Sequence, residues 1–268
     1  MRKLILFAAA LLLLAACSPK PRLVILHTND THSHLDPVRG GRHNGMGGVI
    51  ERAAFVDSVR KAAGKDRVLL LHAGDFNQGS AYYSELGGSL EVEMVNALGY
   101  DCIALGNHEL DDGLESLTER VRRINCPVIC ANLDLSALPI GEVVKPYAIL
   151  ERGGMKIGLI GLESDISTNV SNEISSRIPL LDNVTVVNRW SEYLRGTEHC
   201  DLVILLSHLG YGNDQALIPQ VRGIDIVIGG HSHTFVEDFV HVTDPDGRQV
   251  PIITDGCFGV EMGEISVY

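Results

Sequence analysis

Apolar residues fall along this chain in two rhythms. Short unbroken runs recur at residues 22–27, 68–72, 102–105, 128–130, 155–162, 202–207 and 224–228. Runs of that length, bounded by Gly and polar residues, predict strands buried on both faces. Between them, apolar positions spaced three and four apart predict helices over 49–63, 90–98, 114–124 and 184–194. The rhythm changes near the end, where residues 235–242 and 250–254 flank Asp244-Pro-Asp-Gly247, a turn signal that predicts a hairpin. The pattern implies one α/β domain with parallel crossovers first and antiparallel pieces last. No internal repeat interrupts it, and no Pro- or Ser-rich linker follows residue 22.

The first residues read differently. Arg2 and Lys3 precede an apolar run over residues 4–14, then small residues and Cys17. A basic start, a short apolar stretch and small residues before a cut site make a secretory signal. The run is shorter than the roughly 20 residues a bilayer span requires. Its end resembles a bacterial lipobox, which implies cleavage before Cys17 and lipid attachment to its sulfur. The expected organisation is a signal peptide over 1–16, a lipidated polar tether over 17–21 and a catalytic domain over 22–268. The expected location is extracytoplasmic, on a bacterial membrane, facing the periplasm or the cell surface.

Removing the leader leaves about 250 residues, enough for one large α/β core. The chain carries 22 Lys and Arg against 34 Asp and Glu, a net charge of −12. Loss of Arg2 and Lys3 makes the balance still more acidic. Such a chain has no general attraction for nucleic-acid polymers. An anionic substrate would need local positive charge, which bound cations supply. Of six Cys, five lie beyond Cys17, an odd number that cannot all pair. Cys126 and Cys130 flank an apolar strand, and no second pair stands at zinc-finger spacing, so they read as core residues.

The chemistry sits where apolar runs stop, the strand ends at which open α/β sheets bind ligands. After the first strand comes His27-Thr-Asn-Asp30-Thr-His32-Ser-His34; Asp30 and His32 could face one ion, though an Asp-x-His alone is a polar loop more often than a site. After the second, Gly74 and Gly79 bracket Asp75, which could equally cap a helix. After the third comes Gly106-Asn107-His108-Glu109-Leu-Asp111. An amide oxygen can ligate a metal, His108 can donate a proton or a hydrogen bond, and Asp111 can orient it. Ser207-His208 ends another strand, and Gly229-Gly230-His231-Ser-His233 a fifth. Each cluster is weak alone. Together they deliver Asp, Asn and His from five strand ends. The candidate donors are Asp30, His32, Asp75, Asn107, His208, His231 and His233. That set contains no thiolate and suits two hard or borderline divalent ions sharing one bridge.

In order, these motifs resemble the metallophosphoesterase superfamily. Leu26-His-Thr-Asn-Asp30 and Asn107-His-Glu-Leu-Asp111 are similar to the N-terminal catalytic domain of bacterial 5′-nucleotidases and UDP-sugar hydrolases. The resemblance implies a four-layer αββα sandwich, two mixed β-sheets flanked by helices. It implies that Asp30, His32 and His233 hold one ion, that Asn107, His208 and His231 hold another, and that Asp75 bridges them. It makes His108 catalytic, with Asp111 as its partner. The metals could be Mn, Zn, Mg or Fe. The implied reaction is phosphate-ester hydrolysis, by in-line attack of a metal-bridging hydroxide on an extracytoplasmic nucleotide or related phosphoester. His233 departs from the pattern, because such nucleotidases often carry Gln or Asn there, and this bears on substrate more than on metal. The family's C-terminal nucleotide-recognition domain has no counterpart before Tyr268. The expectation is that a separately encoded polypeptide supplies it, or that smaller esters are taken.

Rival readings use the same residues: a UDP-sugar hydrolase, a cyclic-nucleotide phosphodiesterase, a non-catalytic lipoprotein, or a catalytic subunit inactive without a second polypeptide. His108 with Asp111 argues against a purely binding role, which needs no proton-transfer pair. Around the site, Asn29 and His34 read as supports for the donors, and Glu109 as a local cap. His27 and His72 read as packed strand ends, and Arg52 as an exposed helix position. His43, His199 and His241 belong to no motif.

Overall fold

The computed structural model describes residues 20–268, so Cys17 and the leader lie outside the described residues. In chain order the strands are β1 (Leu23–Thr28), β2 (Val68–His72), β3 (Cys102–Ala104), β4 (Val128–Ile129), β5 (Val144–Lys145), β6 (Tyr147–Arg152), β7 (Met155–Glu163), β8 (Leu202–His208), β9 (Ile226–Gly229), β10 (Val240–Thr243), β11 (Gln249–Ile253) and β12 (Gly263–Val267). The helices are α1 (Val49–Ala63), α2 (Ala81–Leu86), α3 (Ser89–Leu98), α4 (Gly113–Arg123), α5 (Asn172–Ser175), α6 (Asn183–Gly196) and α7 (Tyr211–Leu217).

The strands form two six-stranded sheets, ordered β12-β1-β2-β3-β4-β5 and β10-β11-β9-β8-β7-β6. The interior strands pair in parallel, while β12, β10 and β6 run antiparallel at edges. Both sheets are mixed, as expected.

The unbroken apolar runs follow from this layering. In β1, Val24 and Leu26 face α1, α3 and α4 with Val56, Val95 and Leu117. Their neighbours Leu23 and Ile25 face the second sheet with Leu159, Ile204 and Ile228. Residues Val68 and Leu70 divide from Leu69 and Leu71 in the same way. On the far side, Val203 and Leu205 pack against Val187 and Leu194 of α6. A strand whose alternate side chains both meet a core must be apolar throughout. The result is the four-layer αββα sandwich.

Several elements carried no sequence signal. Strands β6 and β12 are edge strands with half-exposed positions, and β5 has two residues. The hairpin forms around Asp244-Pro-Asp-Gly247, but its first arm begins only at Val240. Phe235 instead makes a single bridge to Asp255. Helix α2 has six residues and depends on its cap, Ser80, which accepts from the Tyr82 and Tyr83 N–H groups. Arg52 departs from the surface position expected of it. It is buried at 5% exposure and donates to the His34 carbonyl at 3.1 Å. Cys130 and Cys126 pack into the core between the first sheet and its helices.

The sheets come into backbone contact where β4 passes β7. The Ala131 N–H donates to the Gly161 carbonyl at 2.8 Å, and a methyl group on Gly161 would collide with the Ile129 backbone. Backbone cannot move aside as a flexible side chain can. Gly161→Ala is expected to cost at least about 1–3 kcal/mol, read as a lowered denaturation midpoint at unchanged m-value.

Candidate metal centre

Five strand ends from both sheets supply the site. The first sheet presents Asp30 and His32 after β1, Asp75 after β2, and Asn107 and His108 after β3. The second presents His208 at the end of β8, and His231 and His233 after β9. The structure brings all of these together.

On one side, His32 Nε2 lies 2.9 Å from His233 Nε2, and the Asp30 carboxylate lies 3.4 Å from His233 and 3.8 Å from His32. On the other, His208 Nε2 lies 3.0 Å from the Asp75 carboxylate, and His231 Nδ1 lies 2.9 Å from the Asn107 side-chain oxygen. Donor atoms of Asp30, His32 and His233 lie within 4.8 Å of one another, as do those of Asp75, His208 and His231. Asp75 also joins His32 and His108 in a third trio, so it stands between the two halves.

Two of these contacts call for a cation as readily as for a proton. His208 Nε2 is buried and has no aligned partner, despite the nearby carboxylate. Two imidazole nitrogens pointing at each other need a proton or a cation between them. Asp30 is fully buried and Asp75 is 2% exposed. Burial would raise Asp75, but His208 and His32 hold its carboxyl below the usual range. In return, against its own burial, His208 is raised well above the usual imidazole range by Asp75, Glu163 and Asp30. His233 is pushed up to about 10 by its bonds to Asp30 and Cys257. The clustered Asp and His donors, hard or borderline and free of thiolate, are positioned for a two-metal site.

The backbone is bent to aim them. Asp30, His32, Asp75, His231 and His233 all have left-handed φ, at 47°, 45°, 58°, 72° and 52°. Each costs on the order of 1–3 kcal/mol outside glycine and persists only when its surroundings enforce it. The enforcement is visible. Glu109 is fully buried and accepts from four backbone N–H groups: Asp75 at 2.9 Å, Phe76 at 3.0 Å, Asn77 at 3.1 Å and Gly106 at 2.7 Å. It therefore ties the β2 loop to the β3 loop, a larger role than a local cap; burial, then Asp75, pushes its carboxyl up to about 7. Asn29 donates to Asp30 at 2.6 Å and to the Gly256 carbonyl at 2.7 Å, and accepts from Asp255 N–H at 2.8 Å. Gly230 is required because a Cβ there would stand 2.7 Å from the Ala73 carbonyl and 3.0 Å from Asp30.

His108 differs from the donors. Its Nδ1 lies 2.7 Å from the Asp111 carboxylate, and its side chain is 31% exposed. The Asp111 hydrogen bond raises its pKa, against the effect of burial. Its backbone N–H donates to Asp75 at 2.9 Å, so the imidazole hangs at the mouth from a residue fixed to the centre. His27 Nδ1 meets the Asp255 carboxylate at 2.6 Å, His72 meets Thr31 at 3.0 Å, and His34 Nδ1 donates to the His32 carbonyl at 2.9 Å. The segment 255–259, which carries no motif, closes one side of the site, with the Phe258 N–H donating to the Asp30 carbonyl at 2.7 Å. Only the paired strand ends could have hinted at it.

Comparison with known proteins agrees with this geometry. Residues 23–235 match the family described as calcineurin-like phosphoesterase. A 5′-nucleotidase of Bos taurus is 34% identical over 271 residues, covering 91% of this chain and 46% of that protein. A snake venom 5′-nucleotidase of Gloydius brevicauda is 34% identical over 268 residues, covering 91% and 45%. The crystal structure of a 5′-nucleotidase precursor from Thermus thermophilus superposes with a TM-score of 0.83 at 31% identity, over 90% of this chain and 50% of that one. A Haemophilus influenzae NAD nucleotidase superposes at 0.79 and 27% identity, over 90% and 46%. The chain spans about half the length of these relatives. With the family matched across most of the chain and its fold superposing on solved relatives, the chain belongs to the calcineurin-like phosphoesterase family.

Proposed function

We propose that this chain is a two-metal phosphoester hydrolase acting as a 5′-nucleotidase. The observation that carries the reading is the convergence of seven Asp, Asn and His donors beside a His108–Asp111 pair at the mouth. Asp30, His32 and His233 would hold one divalent cation, Asn107, His208 and His231 the other, with Asp75 shared. When bound, such a pair neutralises charge on phosphoryl oxygens and lowers the pKa of a coordinated water toward neutrality.

The chain's own residues do the rest. Asp111 fixes the tautomer and plane of His108 and raises its proton affinity, so the imidazole carries a proton to give to a departing alkoxide. His108 also offers a hydrogen bond to the charge that develops as the P–O bond breaks. Glu109, by holding four N–H groups, keeps Asp75 and Asn107 in one register. The nucleotidase names of the relatives support a nucleotide substrate. The NAD nucleotidase among the structural neighbours makes pyrophosphate-linked nucleotides, including UDP-sugars, the second substrate class to test.

The basic-then-apolar start and Cys17 support an extracytoplasmic, lipid-anchored protein. Among the described residues no helix is long and apolar enough to cross a membrane. Radiolabelled fatty acid is expected to label the wild type in cells. Cys17→Ala is expected to lose the label and leave the membrane fraction, and retained label would reject the anchor.

The direct test is phosphate release from 5′-AMP by Mn²⁺-loaded protein. Chelator-sensitive release is expected, and absence of release from AMP together with absence of cleavage of NAD and UDP-glucose to their monophosphates would sink the reading. Asp75→Asn is expected to lower the affinity for both ions. His108→Ala is expected to keep both ions while kcat falls about 10²–10⁴-fold. Metal analysis beside kinetics decides, since loss of an ion from His108→Ala would make it a ligand.

A further inference from the structure

Metal-binding histidines ordinarily fix their ring plane by donating the second ring N–H to an acceptor. His208 does so through Nδ1 and the Ala73 carbonyl, at 2.6 Å. His32 does not. Its Nδ1 is buried and has no partner among the described residues, yet its Nε2 must be aimed at the ion it shares with His233. What surrounds its ring is aromatic: His233 at 4.9 Å and 64°, His108 at 5.2 Å and 74°, and Phe258 at 5.9 Å and 60°. Phe258 touches more than His32. Its ring stands 5.9 Å from His233 at 69° and packs 4.2 Å from His34.

Phe258 also has a φ of 61°, a conformation in which a bulky non-glycine residue is an outlier. Its N–H is tied to the Asp30 carbonyl, the backbone of a third donor of the same half-site. Asn29 fastens the preceding Asp255 and Gly256 to the same loop. The strained residue is thus held by the segment whose histidine it packs against. Strain retained in that way points to a positional demand.

We infer that Phe258 is a positioning residue for the half-site of Asp30, His32 and His233: its ring, edge-on to both imidazoles, sets by packing the plane that a hydrogen bond sets for His208. The inference rests on those three residues holding one ion. It makes Phe258 the source of a difference between two histidines, His208 oriented by a hydrogen bond and His32 by an aromatic wedge.

Mn²⁺ titration of the metal-free full chain, purified in detergent, tests it. The wild type is expected to show two binding classes, and His233→Ala identifies the one belonging to this half. Phe258→Leu, which keeps apolar bulk but loses the ring, is expected to weaken that class about 10–100-fold and spare the other. Phe258→Tyr keeps the ring and is expected to restore it. At saturating Mn²⁺ the kcat of Phe258→Leu is expected to return toward wild type, because the ring acts through His32. Unchanged affinity in Phe258→Leu overturns the inference, as does equal weakening of both classes. Failure of the wild type to bind two ions, or of His233→Ala to lose one, would instead overturn the ligand assignment and this inference with it.

Discussion

Burying a carboxylate without compensating positive charge costs several kcal/mol, and this fold buries two within reach of the same imidazoles. His208 Nε2 lies 3.0 Å from Asp75 and 3.9 Å from Asp30, and His32 Nε2 lies 3.9 Å and 3.8 Å from the same pair. Four side chains from β1, β2 and β8 therefore share one electrostatic problem. Asp75, Glu163 and Asp30 accordingly raise the proton affinity of His208 against its own burial. With divalent cations the imidazoles are free to bind as neutral ligands. The site is built for a charge the polypeptide does not itself supply.

That demand explains where the backbone is strained. Of the seven candidate donors on five strand ends, five take left-handed φ. The strain is opposed by buried polar groups whose satisfied bonds run between loops. Glu109 is the clearest: a carboxylate with no route to solvent, accepting from the loops after β2 and β3. Removing it would orphan four buried N–H groups at once. Asn29 does the same between the β1 loop and segment 255–259. Neither residue touches substrate in the proposed chemistry, yet both determine where the donors stand.

Much of this was legible in the sequence because burial on both faces writes a strand as an unbroken apolar run. The runs at β1, β2, β7 and β8 locate the strands, and the polar clusters that end several of them locate the candidate donors. Strands β6 and β12 were not legible, because an edge strand half exposed to solvent has no such run. Arg52 was misread for a related reason. Its helix places it on the face toward residues 34 and 259, and nothing in local spacing reveals a neighbour contributed by a distant loop. The same holds for Phe258, whose role depends on a backbone bond to Asp30 across 228 positions.

The division of donors between the sheets has a consequence for the energetics. Asp30, His32, Asp75 and Asn107 come from the first sheet, and His208, His231 and His233 from the second. The apolar layer between the sheets sets their spacing, because Leu71, Ala104, Leu206 and Ile228 pack there close behind the strand ends. Interiors packed to native density transmit small displacements, since little void exists to absorb them. A metal site that spans the gap binds only the packed arrangement and therefore stabilises it in proportion to ion occupancy. The core fixes the donors before metal arrives, and bound metal in turn resists separation of the sheets. This is why a close approach outside the donor set, such as Gly161 against Ile129, belongs to the same structural problem as the site: Ile129 pairs with Ala104 and Gly161 with Leu206, each on a strand that carries a donor at or beyond its end.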